Sequence, residues 1–577
     1  MTLYNLEPET KIARYHTAWR GYVDICRAIK DKVRTLHKEK ITIAVEEYPG
    51  VRNKEIREQL VNILHPSQVV FADDLAMSGE KITEQIKDTL TDDRVFGIMS
   101  HYRLDHFFPD VVDFQKWLKQ QKGLTVIYGT GATVLAPHPD LLIYCDLARW
   151  EIQLRYRAGM PNWKMKNQGE DILRKYKRGY FFEWRMADRQ KMKIFDSIDF
   201  LLDTNEKNNP KMISGADYRA ALWEVVHQPY RVVPYFDESV WGGQWMKEHF
   251  KLNRRVPNYG WAFDGVPEEN SLYLRFGDTR IEIPSINLVQ QFPDELLGAR
   301  VHARFGKEFP IRFDYLDTMG GGNLSLQVHP LTEYIQDQYG MNYTQDESYY
   351  ILQATQNASI YLGLKCHVDK KALMNDFRKA QVANVEFPDE KYINRFHVKK
   401  HDHYSIPAGT VHCGGKDTVV LEISATPYIF TFKLWDWGRI GLDGKPRPIH
   451  LTEGLSNLQM NRDTNWVRHH LVNPVVTLKE SKEETVERTG LHEFEFIETH
   501  RHWFKEVGRF NTHESVNMLN LVEGDTAEVI SVENKFRPFE IHYGETFIVP
   551  ANIERFVIKN KKPDGKKIAV IQAYVRN

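Results

Sequence analysis

NLSLQVHP, residues 323–330, decides how the second half of this chain is read. As a β-strand it turns Leu324, Leu326 and Val328 to one face. Ser325, Gln327 and His329 turn to the other, because successive side chains alternate across a strand. The first face suits a core. The second carries an amide and an imidazole two residues apart, which suits either satisfied polar groups at a barrel rim or two arms of a metal site.

The surroundings are written in two styles. From about Pro229 onward, short strands separated by Gly, Pro, Asn and Asp turns dominate, the pattern of antiparallel sandwiches or barrels. HDHYSIPAGTVH (401–412) and HYGETFIVPANIERF (542–556) echo each other. Each is a polar turn, a short strand ending in Pro-Ala, then another strand, as an internally duplicated barrel unit would have. A helical interlude, DKKALMNDFRKAQ (369–381), interrupts the first of them.

Residues 1 to about 228 instead alternate apolar runs with helical patterns. The runs are ITIAVEEYPG (41–50), SQVVFADDL (67–75), RVFGIMSHY (94–102), LTVIYGTGATVL (124–135) and DLLIYCDL (140–147). Such alternation predicts a parallel α/β sheet. A basic helical stretch, 169–204, closes this part. The expected layout is an α/β domain over 1–228, a first barrel with the metal site over 229–460 and a second barrel over 461–577.

A chain of 577 residues exceeds one core. Hydrophobic residues at 42% and charged residues at 27% exclude general disorder. With 77 basic and 78 acidic residues, nothing global calls for nucleic acid or an anionic membrane. Cys26, Cys145, Cys366 and Cys413 lie far apart without a CxxC pair, which fits a reduced protein. The N-terminus has no apolar leader core, and no stretch approaches the roughly 18 apolar residues of a membrane helix. A soluble cytoplasmic protein is expected.

Zinc sites that do chemistry use N and O ligands and leave one position open. Glu347 opens the next strand, in QDESYYIL (345–352), and His412 follows a Pro-Ala-Gly turn in IPAGTVHCGG (406–415). In a small barrel, inward-facing groups of neighbouring strands converge. Gln327, His329, Glu347 and His412 are therefore candidate ligands. His401 and His403 precede a strand and read as solvated turn residues.

LSLQVHP, DESYYIL and IPAGTVH together resemble the type I mannose-6-phosphate isomerase family, a zinc-dependent cupin group. The resemblance extends in the family's order through PYFDESVWGG (234–243), FPIRFDYLD (309–317), VVLEISA (419–425), LWDWGRIGLDGKPRPIH (434–450) and GETFIVPAN (544–552). It implies a double cupin with a small helical insertion, and Zn²⁺ or another divalent metal on Gln327, His329, Glu347 and His412. It also implies interconversion of mannose 6-phosphate and fructose 6-phosphate, with a proton moving between C2 and C1 through an enediol. The partner is then a small-molecule sugar or sugar phosphate.

The chain departs from that pattern where the substrate is handled. Gln345 stands where the family has a lysine two residues before the metal-binding glutamate. Lys433, with Arg439 further on, stands where the family has its active-site arginine. Lysine supplies charge without the bidentate fork of arginine, and Lys433 also reads as a solvated strand residue. Glu422 reads as a base or as a buried structural carboxylate. Lys433, Arg439 and Glu422 are the expected substrate-facing residues. The alternative is a metal-binding sugar-phosphate sensor without turnover.

In the front half, ITIAVEEYPGVRNKEIREQL sits where a phosphate-binding loop would sit. That loop needs several glycines and a Lys-Ser/Thr pair, whereas only Gly50 is present. VVFADDL, HYRLDHFFP and DLARWEIQLRYRAG faintly resemble uridine-kinase-like nucleotide kinases, but the missing loop argues against ATP use. YGTGA (128–132) is too little for a dinucleotide site. The expectation is a degenerate α/β domain with a structural or regulatory role. Arg149, Arg155 and Arg157 read as an anion site or as a solvated basic face.

Overall fold

Four of the five apolar runs of the front half become parallel strands: β1 (Lys40–Glu47), β2 (Gln68–Phe71), β3 (Gly123–Gly129) and β4 (Leu141–Asp146). A fifth strand, β5 (Phe200–Asp203), forms at the end of the stretch 169–204 expected to be helical, where FLLD is a short, fully apolar run before its aspartate. The five stand side by side in the order β2-β3-β1-β4-β5. β1 and β4 are buried almost throughout, as strands of a sheet covered on both faces must be. Two expectations are corrected. The sheet is mixed, because Lys211–Ser214 returns antiparallel to β5 and Ala18–Arg20 pairs antiparallel beyond it. The short connection after β5 permits only an antiparallel neighbour. RVFGIMSHY also stays irregular: Asp93 Oδ1 accepts the N–H groups of Val95 and Phe96, and Ile98 N–H donates to the Thr89 carbonyl. Its backbone is satisfied by turns rather than by a ladder.

The computed structural model describes residues 4–13, 17–383, 385–425, 428, 430–490, 492–562 and 564–576. The N-terminal stretch read as lacking a leader falls partly outside them, at 1–3 and 14–16. The chain forms two compact units, Glu9–Glu224 with Ser271–Gln291, and Met1–Pro8 with Val225–Asn270 and Phe292–Asn577. Among the described residues no helix is long and apolar enough to cross a membrane.

The second unit is mostly β-sheet. Six strands carry the argument: β6 (Arg312–Asp317), β7 (Leu326–Val328), β8 (Glu347–Ala354), β9 (His412–Gly414), β10 (Thr418–Ser424) and β11 (Phe432–Trp435). One sheet runs His403–Ile406, β8, β10, β6, Trp261–Gly265, Tyr235–Asp237. The other runs Ile393–His397, Ser359–Leu364, β9, β7, β11. A helix, Lys370–Ala383, occupies the expected interlude.

Towards the C-terminus a six-stranded and a four-stranded sheet close on an apolar core that includes Phe504, Leu519, Val529, Phe547, Ile558 and Val570. The two echoing stretches take the same local form: strand His403–Ile406, Pro407, strand β9, and strand Thr546–Val549, Pro550, strand Arg555–Asn560. The C-terminal sheet pair fills its interior with hydrocarbon. The first pair lines part of its interior with polar groups.

Candidate metal centre

β7 pairs with β9 so that Gln327 lies opposite His412, and both side chains leave the same face of their sheet. Glu347 opens β8 on the facing sheet. The turn before β9 is tied to both. Gly409, at φ +85°, donates its N–H to the His329 carbonyl at 2.9 Å, and Ala408 N–H donates to Asp346 Oδ1 at 2.7 Å. The ligand atoms of His329, Glu347 and His412 consequently lie within 4.8 Å of one another, fully buried.

The imidazoles are held in one sense. His329 Nδ1–H donates to the Phe430 carbonyl at 2.8 Å and His412 Nδ1–H to the Thr410 carbonyl at 2.9 Å. Such outer partners fix the tautomer and leave Nε2 with its lone pair. Each Nε2 faces Glu347, at 3.1 Å from Oε2 and 2.8 Å from Oε1. Lone pairs against a carboxylate in a dry interior repel unless a positive charge lies between or on them. Protons supply that charge in one way. Burial alone would lower His329, yet the Glu347 carboxylate raises it, and both histidines hold Glu347 well below the usual range despite burial. A metal ion supplies it in the other, and the donor set of two imidazoles and a carboxylate fits one. Gln327 Nε2 stands 3.1 Å from His412 Nε2; turning the amide over puts Oε1 there as a further oxygen donor.

Beside these residues lies a cavity of about 70 Å³, whose walls include Trp241, Trp261, Ser325, Gln327, Gln345, Glu422, Lys433 and Arg447. That volume holds a few waters, so a larger ligand enters only if its walls move. Strand register orders the polar groups. On one sheet His412, Gln327 and Lys433 form a row. On the other, Glu347, Ser424 and Arg312 form a row, and Tyr349, Glu422 and Asp314 form the next. Along these two rows Glu347 Oε1, Ser424 Oγ, both Nη atoms of Arg312, Asp314 Oδ2 and Tyr349 Oη are buried with no hydrogen-bond partner among the described residues. His329 Nε2 is likewise without one. Buried polar groups are normally paired, so such a concentration on one barrel face marks a place built to receive polar atoms.

Glu422 and Lys433 both border this cavity. Burial raises the Glu422 carboxyl well above its usual range, reinforced by Asp314 and Glu347. Arg439 is not among the cavity's lining residues. It donates to the Asn323 carbonyl and to Asp436 Oδ1 and lines a separate groove of about 550 Å³. Arg447 lines the cavity instead, paired with Asp436 at 3.0 Å. His403 is not solvated: it is fully buried, its Nε2 lies 3.0 Å from Ser348 Oγ, and burial drives it down to about 3. Nor is Gln345 loose. Its Nε2 donates to Glu347 Oε2 at 3.1 Å and its Oε1 accepts from Phe430 N–H at 3.0 Å. Arg312, Asp314, Ser424 and Tyr349 were not singled out from sequence. IRFDYLD carries the same polar–apolar alternation that drew notice to Gln327 and His329.

In the α/β unit the glycines after β3 form an amide cradle, and the protein fills it. Glu46 accepts from Gly131 N–H at 2.8 Å and from Thr133 N–H and hydroxyl at 2.6 Å each. Burial raises Glu46 to about 7 against those bonds. Arg149 is buried against Asp188. Arg155 pairs with Glu151 and donates to the Gly50 and Thr204 carbonyls. Arg157 donates to Tyr176 Oη. Arg149 and Arg155 are buried groups rather than a solvated basic face.

Fold and site together define a protein with paired β-sheets and a buried His/Glu centre between the sheets of the first pair. Residues 21–227 match a family described as "Domain of unknown function (DUF8485)". The chain is similar to "Putative mannose-6-phosphate isomerase YvyI" of Bacillus subtilis (strain 168), 23% identical over 58% of this chain and 97% of that protein. It is similar also to "Mannose-6-phosphate isomerase ManA" of the same organism, 24% identical over 43% of this chain and 75% of that one. Among solved structures, a mannose 6-phosphate isomerase from Bacillus subtilis matches with TM-score 0.49 and 20% identity, over 60% of this chain and 99% of that one.

Proposed function

We propose that the chain is a metal-dependent aldose–ketose isomerase of a hexose phosphate, with mannose 6-phosphate and fructose 6-phosphate as the first pair to test. The carrying observation is the pair of tautomer-locked imidazoles whose Nε2 atoms face one buried carboxylate, bordering a strip of unsatisfied polar atoms. His329, Glu347, His412 and Gln327 would hold the ion, with zinc the leading choice. An ion held by these residues would supply Lewis-acid stabilisation for charge developing on the substrate's oxygens. The relatives' names point to the same chemistry.

This chain's own residues would do the rest. Glu422, kept protonatable by burial beside Asp314, would give and take the proton that moves between C2 and C1. Trp241 and Trp261, ring centroids 5.3 Å apart, wall the cavity from water. One observation favours the sensor reading: Gln345 is locked by two hydrogen bonds and brings no charge. The deciding experiment is proton NMR of the metal-loaded protein with mannose 6-phosphate in D₂O. Loss of the C2 proton signal and growth of fructose 6-phosphate, both abolished by chelator, are expected. Binding without either change would replace the isomerase by the sensor.

A further inference from the structure

The two facing rows of polar residues run the same way. One begins at His412, passes Gln327 and ends at Lys433; the other begins at Glu347, passes Ser424 and ends at Arg312. At the first end His412 and Glu347 meet at 2.8 Å. At the other, Lys433 and Arg312 both line the cavity. Two strand spacings separate the ends, about 10 Å. Gln327 and Gln345 on the cavity wall reach the His/Glu centre beside it, while Lys433 and Arg312 stand at the far end, where Asp314 and Glu422 also line the wall.

Arg312 is the unusual member. It is 2% exposed, and its Nε donates to Asp314 Oδ1 at 3.2 Å, which orients the guanidinium. Glu269 stands no nearer than 3.9 Å to Nη1. Neither Nη1 nor Nη2 has a hydrogen-bond partner among the described residues. A buried guanidinium with its terminal N–H groups unmade is costly, and its planar fork matches two oxygens of one oxyanion. Ser424 Oγ, also without a partner, lies between Arg312 and Glu347 in the row.

We propose that Arg312 binds the phosphate of the substrate, holding a phosphorylated sugar lengthwise with its reacting end at the metal centre. The assignment rests on the isomerase reading for the sugar but not for the anion. Arg312 supplies a fork at the same end of the cavity as the point charge of Lys433. Once the cavity walls have moved to admit it, a six-carbon chain with a terminal phosphate matches the separation of the two ends, whereas a sugar without phosphate leaves Arg312 unsatisfied.

The test compares the full-length metal-loaded protein with Arg312→Gln and Arg312→Lys. Mannose 6-phosphate and unphosphorylated mannose serve as substrates, and inorganic phosphate as a separate thermal-shift ligand. Arg312→Gln is expected to lower kcat/KM for mannose 6-phosphate by about 100-fold, mostly through KM, and to lower kcat/KM for mannose by about tenfold at most, because Arg312 also neighbours Asp314 and Glu422. Arg312→Lys keeps the charge and loses the fork, and is expected to weaken phosphate about tenfold. It decides the matter if the glutamine variant does not fold. Phosphate is expected to raise Tm in the wild type and not in Arg312→Gln. An equal loss on both sugars, or a phosphate response that both variants retain, overturns the assignment. If neither sugar turns over while the phosphate response still depends on Arg312, the isomerase reading falls and the anion site stands.

Discussion

At the residue scale the decisive fact is two imidazoles turned the same way. Phe430 and Thr410 take their Nδ1 protons with backbone carbonyls, so neither ring can turn away from Glu347 without breaking a buried hydrogen bond. Preorganised donors of this kind cost little to order when a cation arrives. His412→Ala should therefore remove bound metal and lower affinity at least about 100-fold. The far-UV spectrum should be unchanged, since the strand ladder of β9 uses no side chain. Elemental analysis after dialysis checks this. Stoichiometric metal in the variant would remove His412 from the ligand set.

At the scale of the element, a four-residue turn does the placing. Pro407 to Thr410 carries the chain from one sheet to the other, and Gly409 sits in the left-handed region that side chains avoid. A Cβ there would stand 2.7 Å from Gln459 Cγ and 3.1 Å from the Asn457 carbonyl. Gly409→Ala should cost about 2 kcal/mol from backbone strain and crowding, and should also weaken metal binding, because the same residue ties the turn to His329. Thermal unfolding with and without added zinc reads both effects. An unchanged Tm together with unchanged zinc stabilisation would show that the turn absorbs the methyl and does not set the site. The echo at Pro550 makes its turn with Asn552 and Ile553 in a short 3₁₀ helix and leads into a strand over hydrocarbon, so the same local form carries no site there.

At the scale of the whole molecule, the polar resources of the two units are spent differently. In the β unit, buried polar atoms are left without partners along one barrel face. In the α/β unit, the glycine turn after β3, at the edge where such sheets bind ligands, is closed by Glu46. Mg–ATP titrated into the full chain should accordingly give no binding heat at millimolar nucleotide. Micromolar binding would show that Glu46 yields its place to phosphate and would return the unit to the nucleotide-binding class.

The sequence by itself determined the alternation of apolar runs that became β1 to β4, while β5 emerged from the end of a stretch with helical patterning. It also determined the polar-faced strand at Gln327 and His329, and the glycine turn before His412, because these depend on side-chain periodicity and local backbone freedom. It carried Arg312 and Asp314 in the same period-two pattern, but alternation does not say which polar strand face meets which. Register alone put Arg312, Ser424 and Glu347 in one row, and three hydrogen bonds from residues 131 and 133 put Glu46 where an external anion would go. RVFGIMSHY had strand composition and found no ladder to join, and the antiparallel edge of the front sheet was set by where β5 turned back. Pairing across strands is a contact between distant residues, settled by the free energy of the assembled sheet, and only the tertiary structure decides it.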